Sequence, residues 1–171
     1  MIQIYTGDGK GKTSAAIGAA IRMAGSGGKV IFTQFLKNGD SSEIQVLNQI
    51  DKIAVLLPEP VGKFVFQMTE AEKEEAQKKV AHHFERIQNL VNAEKCDMLV
   101  LDEILVACER KMLDQDKVLS FLKATGDSME IVMTGHKLFQ GVTEAADYIS
   151  DIRKVKHPFD EGIRARKGIE M

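Results

Sequence analysis

At roughly 150 residues per domain, the 171 residues of the chain predict one domain over residues 1–171, and 44% hydrophobic with 28% charged residues exclude a disordered polymer. Lys and Arg number 23 against 25 Asp and Glu, a formal charge of −2, so no overall basic field argues for a nucleic-acid partner. The start MIQIYTG lacks a secretory leader and no stretch approaches the roughly 20 apolar residues of a membrane helix, so a cytoplasmic protein with no membrane partner is expected.

In chain order, residues 2–5 (IQIY) form a short strand-prone run that stops at the loop TGDGKGK. A helix follows, with Ala16, Ala19, Ala20 and Met23 at helical spacing and Gly25 as its stop signal. Residues 29–35 (KVIFTQF) are near-continuously apolar, the pattern of a strand buried on both faces. Loop chemistry occupies residues 37–42, and KIAVLL (52–57) reads as another strand, ended by Pro58 and Pro60. The connection from Pro58 to Thr69 is long enough for a functional loop. Thr69 and Glu72 form a T-x-x-E capping box at the start of the longest helix, whose apolar face is Ala76, Val80, Phe84, Ile87 and Val91. His82 and His83 lie beside that face and read as solvated helix surface, because a metal pair favours i, i+4 spacing. DMLVLDE (97–103) is a buried strand ending in two acids; a helical stretch to about Ala124 leads to MEIVMTG (129–135), another buried strand. One more helix precedes YISDIRKV and a basic tail. Cys96 and Cys108 lack disulfide density and CxxC spacing, so they read as reduced thiols. Alternation of strand and helix predicts an α/β fold with a mostly parallel sheet flanked by helices.

The strongest local signal is GDGKGKTS, between a buried strand and a helix. Binding a phosphate chain takes several inward backbone N–H groups, which Gly7, Gly9 and Gly11 permit, with Asp8 and Ser14 in the same loop. The helix aims its positive dipole end at an anion. Lys12 neutralises phosphate charge, Lys10 adds a second cation, and the Thr13 hydroxyl is placed for Mg²⁺. The spacing departs from the usual P-loop, because the first glycine falls at Gly7 and not at Thr6. A bare glycine-rich turn with incidental lysines is the rival reading, and the surrounding strand and helix favour phosphate.

Asp102 and Glu103 close the LVLDE strand. Taken alone they read equally as metal-binding acids or as caps on the next helix. Beside a phosphate loop the metal reading gains, since Mg²⁺ needs hard oxygen ligands.

The C-terminal half then carries VMTGH and EAADYISDIRKVKHPFDEGIRARKGIEM. With residues 5–16 (YTGDGKGKTSAA) and LVLDE, these closely resemble the P-loop ATP:corrinoid adenosyltransferases, over essentially the whole chain. The resemblance implies a P-loop NTPase-like, RecA-like fold and one reaction. Cobalt reduced to Co(I) attacks C5′ of Mg-ATP, displaces intact triphosphate and leaves an adenosyl-corrinoid such as adenosylcobalamin. Carried over by position, Gly7–Ser14 hold the triphosphate with Lys10 and Lys12 stabilising charge, and Thr13, Glu103 and Asp102 hold Mg²⁺. The family carries a Gly-Phe-x-Trp segment against the corrin. Phe64 matches its phenylalanine and Phe66 stands where tryptophan is usual; the same pair also reads as i, i+2 core positions of a strand. A homodimer and a flavoprotein electron donor are implied as well.

Three departures from the family pattern stand in the residues. Family members often have a segment ahead of the first strand, the TGR turn is TGH at His136, and Ser14 replaces the second threonine of GKTT. His157 in the VKHPF motif reads as a substrate contact or as a turn residue before Pro158. Arg153, Lys154, Lys156, Arg164, Arg166 and Lys167 read as an anion-binding cluster or as surface ion pairs. A P-loop ATPase or kinase, and an adenosylcobalamin carrier or sensor with weak turnover, are the rival functions.

Overall fold

The computed structural model describes residues 1–37, 41–60, 62 and 65–169, the side chain of Phe66 excepted. Its strands are β1 Ile2–Thr6, β2 Val30–Gln34, β3 Ile53–Leu56, β4 Met98–Asp102, β5 Glu130–Thr134 and β6 Tyr148–Asp151. Among the described residues they form one sheet in the order β3-β2-β4-β5-β1-β6, with every pairing parallel. The α/β expectation holds, and the sheet is parallel throughout.

Parallel strands need helical crossovers, and those helices bury both faces of the sheet. Alternation along each strand therefore divides the core in two. Leu99, Leu101, Ile131 and Met133 point into one cluster, beneath the helix α3 (Glu70–Ala93). Met98, Val100 and Val132 point into the other, beneath α1 (Lys12–Gly25). In α1 the buried residues include Ala16, Ala20 and Ala24, whose small side chains let the helix lie close on β4 and β5. In α3 the capping box is formed as expected, and Ala76, Val80, Phe84, Ile87 and Val91 are all buried. Burial of Phe84 and Ile87 contributes on the order of 1.5–3 kcal/mol each.

Five elements differ from expectation. A short α2 (Ser42–Leu47) follows the loop after β2, anchored by buried Ile44 and Leu47. The helical stretch after β4 is two helices, α4 (Ile104–Glu109) and α5 (Gln115–Thr125). Lys111 turns left-handed between them, and Asp114 caps the second by accepting from the N–H groups of Asp116 and Lys117. The last helix, α6 (Val142–Ala145), is a single turn, and YISD adds β6 at the sheet edge with all four residues exposed. His83 is buried, contrary to the surface reading. Its Nε2 lies 2.7 Å from the Thr33 hydroxyl, which itself donates to the Leu56 carbonyl at 2.7 Å. Thr33 therefore accepts from His83 Nε2–H. Burial, aided by the neighbouring Arg86 and His82 charges, pushes the imidazole down to about 4. Both cysteines are free and buried, and burial raises their thiols, Cys108 to about 12.

Candidate active site

Parallel register brings the carboxyl ends of five strands together, at Thr6, Gln34, Asp102, Thr134 and Asp151. Ligands of open α/β sheets bind at that edge. The glycine loop leaves β1 there and enters α1. Gly7 and Gly11 have positive φ, 106° and 118°, a backbone that L side chains rarely adopt. Gly9 is needed for closeness. Its N–H donates to the Ile152 carbonyl at 2.7 Å, and a Cβ would fall 2.7 Å from that same oxygen. The chain after β6 is thus clasped onto the loop, and Asp8 Oδ1 completes the clasp by accepting from the Lys154 N–H at 2.9 Å. That bond, foremost, holds the Asp8 carboxyl below its usual range.

Lys12 is buried and folds back to donate from Nζ to the Gly9 carbonyl at 2.8 Å. Burial lowers the pKa of its ammonium, opposed by the charges of Glu103, Asp8 and Asp102. Lys10 and Ser14 are exposed at the cavity rim, and Thr13 is half-buried. The Thr13 hydroxyl donates to Asp102 Oδ1 at 2.9 Å, joining loop to strand end.

Asp102 is fully buried and accepts four hydrogen bonds. Thr13 and Thr134 donate to Oδ1, the latter at 2.7 Å, while Gln34 at 3.1 Å and Lys37 at 2.9 Å donate to Oδ2. Neither Asp102 nor Glu103 caps the helix that follows: Asp102 is committed to these donors, and Glu103 makes no side-chain cap bond. Glu103 is instead held at φ 65°, a strained backbone for a residue with a Cβ, and its N–H donates to Thr134 Oγ1 at 2.9 Å. Burial, then the neighbouring Asp102 charge, raises the Glu103 carboxyl above its usual range. A divalent cation relieves both causes. Among the described residues no three His, Cys, Asp or Glu side chains converge to form a metal cage by themselves. Mg²⁺ is ordinarily held by one or two carboxylates together with substrate phosphates and waters, so a hydroxyl and two acids fit it.

Sequence reasoning missed Gln34, Lys37 and Thr134. Each is a polar residue at or just beyond the carboxyl end of an otherwise apolar strand, and that position is the signal that marks them.

The loop and strand ends form one wall of a cavity of about 340 Å³. The tail forms the opposite wall, with His157, Pro158, Phe159, Ile163, Arg164 and Ile169. His157 Nδ1 accepts from the Phe159 N–H at 3.1 Å and caps a short 3₁₀ turn, Pro158–Glu161. The basic cluster divides. Arg153 pairs with Asp151, Lys154 with Asp160 and Lys156 with Glu161, as surface ion pairs, whereas Arg164 faces the cavity. Phe64 lies outside the described residues. Phe66 falls in a 3₁₀ turn, Val65–Gln67, so the strand reading of that segment does not hold there.

A phosphate-type loop, a Thr–Asp link and an acid pair at a parallel strand edge describe many nucleotide proteins, and similarity over the whole chain selects among them. Residues 1–171 match the family model described as ATP:corrinoid adenosyltransferase BtuR/CobO/CobP. The chain belongs to the ATP:corrinoid adenosyltransferase family. A corrinoid adenosyltransferase of Escherichia coli (strain K12) is 31% identical over 175 residues, covering 99% of this chain and 85% of the relative. One from Pseudomonas aeruginosa is 31% identical over 181 residues, covering 100% of this chain and 83% of the relative. The ATPase 2 and 3 region of EssC from Geobacillus thermodenitrificans superposes with a TM-score of 0.50 at 17% identity. It covers 98% of this chain and 34% of that one, and bears on the fold alone. This adenosyltransferase is therefore an enzyme, with ATP and a corrinoid as its substrates. Among the described residues no helix is long and apolar enough to cross a membrane.

Proposed function

We propose that residues 1–171 act as one P-loop domain in which Gly7, Asp8, Gly9, Lys10, Gly11, Lys12, Thr13 and Ser14 bind the triphosphate of ATP. Co(I) of the corrinoid substrate attacks C5′; the cobalt–carbon bond forms as the C5′–O bond breaks, and triphosphate leaves with that electron pair. Lys12 releases the Gly9 carbonyl and, with Lys10, offsets the charge of the departing group. Thr13 and Glu103 would hold Mg²⁺, with Asp102, whose oxygens already accept four hydrogen bonds, reaching it through water; the ion when bound would screen phosphate charge. Phe64 and Phe66 stand against the corrin. The enzyme works as a cytoplasmic homodimer fed by a flavoprotein electron donor, a part of the reading that the family resemblance supports.

The observation that supports this assignment best is the 2.9 Å bond from Thr13 to the buried Asp102, with Lys12 and Glu103 lining the same cavity. Lys12→Ala tests it. Calorimetric titration with Mg-ATP is expected to show affinity reduced by roughly 100-fold or more, with circular dichroism and melting temperature close to the parent. Unchanged affinity would remove Lys12 from the phosphate site.

A further inference from the structure

His136 takes the place of the arginine in the TGR turn, and its position gives it work of its own. Its carbonyl accepts from the Gly7 N–H at 3.3 Å and from the Thr6 hydroxyl at 3.0 Å, so its backbone is tied to the start of the phosphate loop. His136 lines the cavity with Lys12, Thr13 and Glu103, and the Lys12 charge acts on its imidazole. Among the described residues the imidazole has no hydrogen-bond or ion-pair partner.

The charges around it come from every side of the cavity. Lys12 stands on α1, Lys10 and Asp8 on the loop, Glu103, Glu109 and Arg110 on or beside α4, Lys137 next in the chain, and His157 and Arg164 on the tail. Glu109, the acid that acts on His136, is already paired with Lys137 at 3.0 Å. His136 is exposed at the cavity mouth, and the partial desolvation of its imidazole there, followed by the Lys12 charge, holds it below its usual range, so the neutral form predominates in the ligand-free protein at pH 7. An entering polyanion reverses that balance, because it favours the charged form of any cation at contact distance.

We propose that His136 is a triphosphate-contacting residue that takes up a proton when the nucleotide binds. The family arginine carries a fixed charge, whereas this chain acquires its charge on binding. The inference rests on reading the cavity as the triphosphate site. Proton uptake makes affinity fall as pH rises through the window between the free and the bound pKa, by at most about tenfold per pH unit for one proton.

The test is calorimetric titration of the full chain with Mg-ATP at pH 7, in buffers of different ionisation enthalpy, which counts protons taken up. The parent is expected to take up a substantial fraction of a proton, and His136→Gln to bind with that fraction absent. His136→Arg is expected to bind with no uptake and a flatter pH dependence, and His157→Gln to keep the uptake of the parent. Titration of the nucleotide itself is common to all four proteins and cancels in the differences. Equal proton counts in the parent and His136→Gln would overturn the inference and leave the site reading intact. Uptake lost in His157→Gln and kept in His136→Gln would overturn it too. No binding by the parent would instead remove the site reading, and the inference with it.

Discussion

The two walls of the cavity are built on opposite physical terms. On the strand-end wall Asp102 is wholly buried and every carboxylate oxygen is bonded, so its geometry is set before any ligand arrives. On the tail wall Phe159 is 72% exposed and Ile169 52%, and the ion pairs lie in solvent, where each contributes little. What joins them is the clasp of Gly9 and Asp8 on residues 152–154. The difference assigns the tasks. The buried wall is suited to fixing charge, and the exposed apolar wall gains burial only when something enters the cavity.

Asp102→Ala is the largest expected perturbation of that contrast. It removes the acceptor of the Thr13 and Thr134 hydroxyls and one of the two carboxylates that Gln34 and Lys37 reach, Glu43 being the other, at a cost of about 3 kcal/mol. Denaturant midpoints read this directly, and a midpoint close to the parent's would mean that the cluster is not a structural keystone. A smaller effect follows from His83, which sits behind the buried wall on Thr33. Its folded pKa, about 4, lies below the ordinary 6.5, so the stability it confers is present above about 6.5 and is lost as pH falls toward 4. His83→Phe is expected to flatten the pH dependence of the melting temperature across that window; an unchanged slope would show that the acid sensitivity has another source. Phe159→Ala is the mildest change. It leaves stability near the parent's and weakens Mg-ATP binding by about threefold if the exposed ring covers part of the nucleotide. A marked loss of stability would put the tail among the core-forming elements.

The sequence made one wall legible and hid most of the other. The capping box at Thr69, the face from Ala76 to Val91, and the loop and acid pair that became Thr13–Asp102 follow from local patterns, because each is decided by periodicity or by a few neighbouring residues. The partners of Asp102 are decided by sheet register, which set Gln34 beside it from 68 positions away and is invisible to any local window. His83 was misread because beside an apolar stripe, only the Thr33 and Phe35 positions on β2 and just beyond it decide which of two adjacent histidines turns inward. The tail was legible as a motif through family resemblance, but its place across the cavity follows from β6 joining the sheet edge beside β1.

The central claim is attack at C5′ with triphosphate held by the buried wall. Its most direct test is product analysis after anaerobic incubation of the protein with Mg-ATP and chemically reduced Co(I) cobalamin. The account predicts triphosphate and adenosylcobalamin in equal amounts, both dependent on cobalt. ADP and phosphate released whether or not cobalt is present would contradict it.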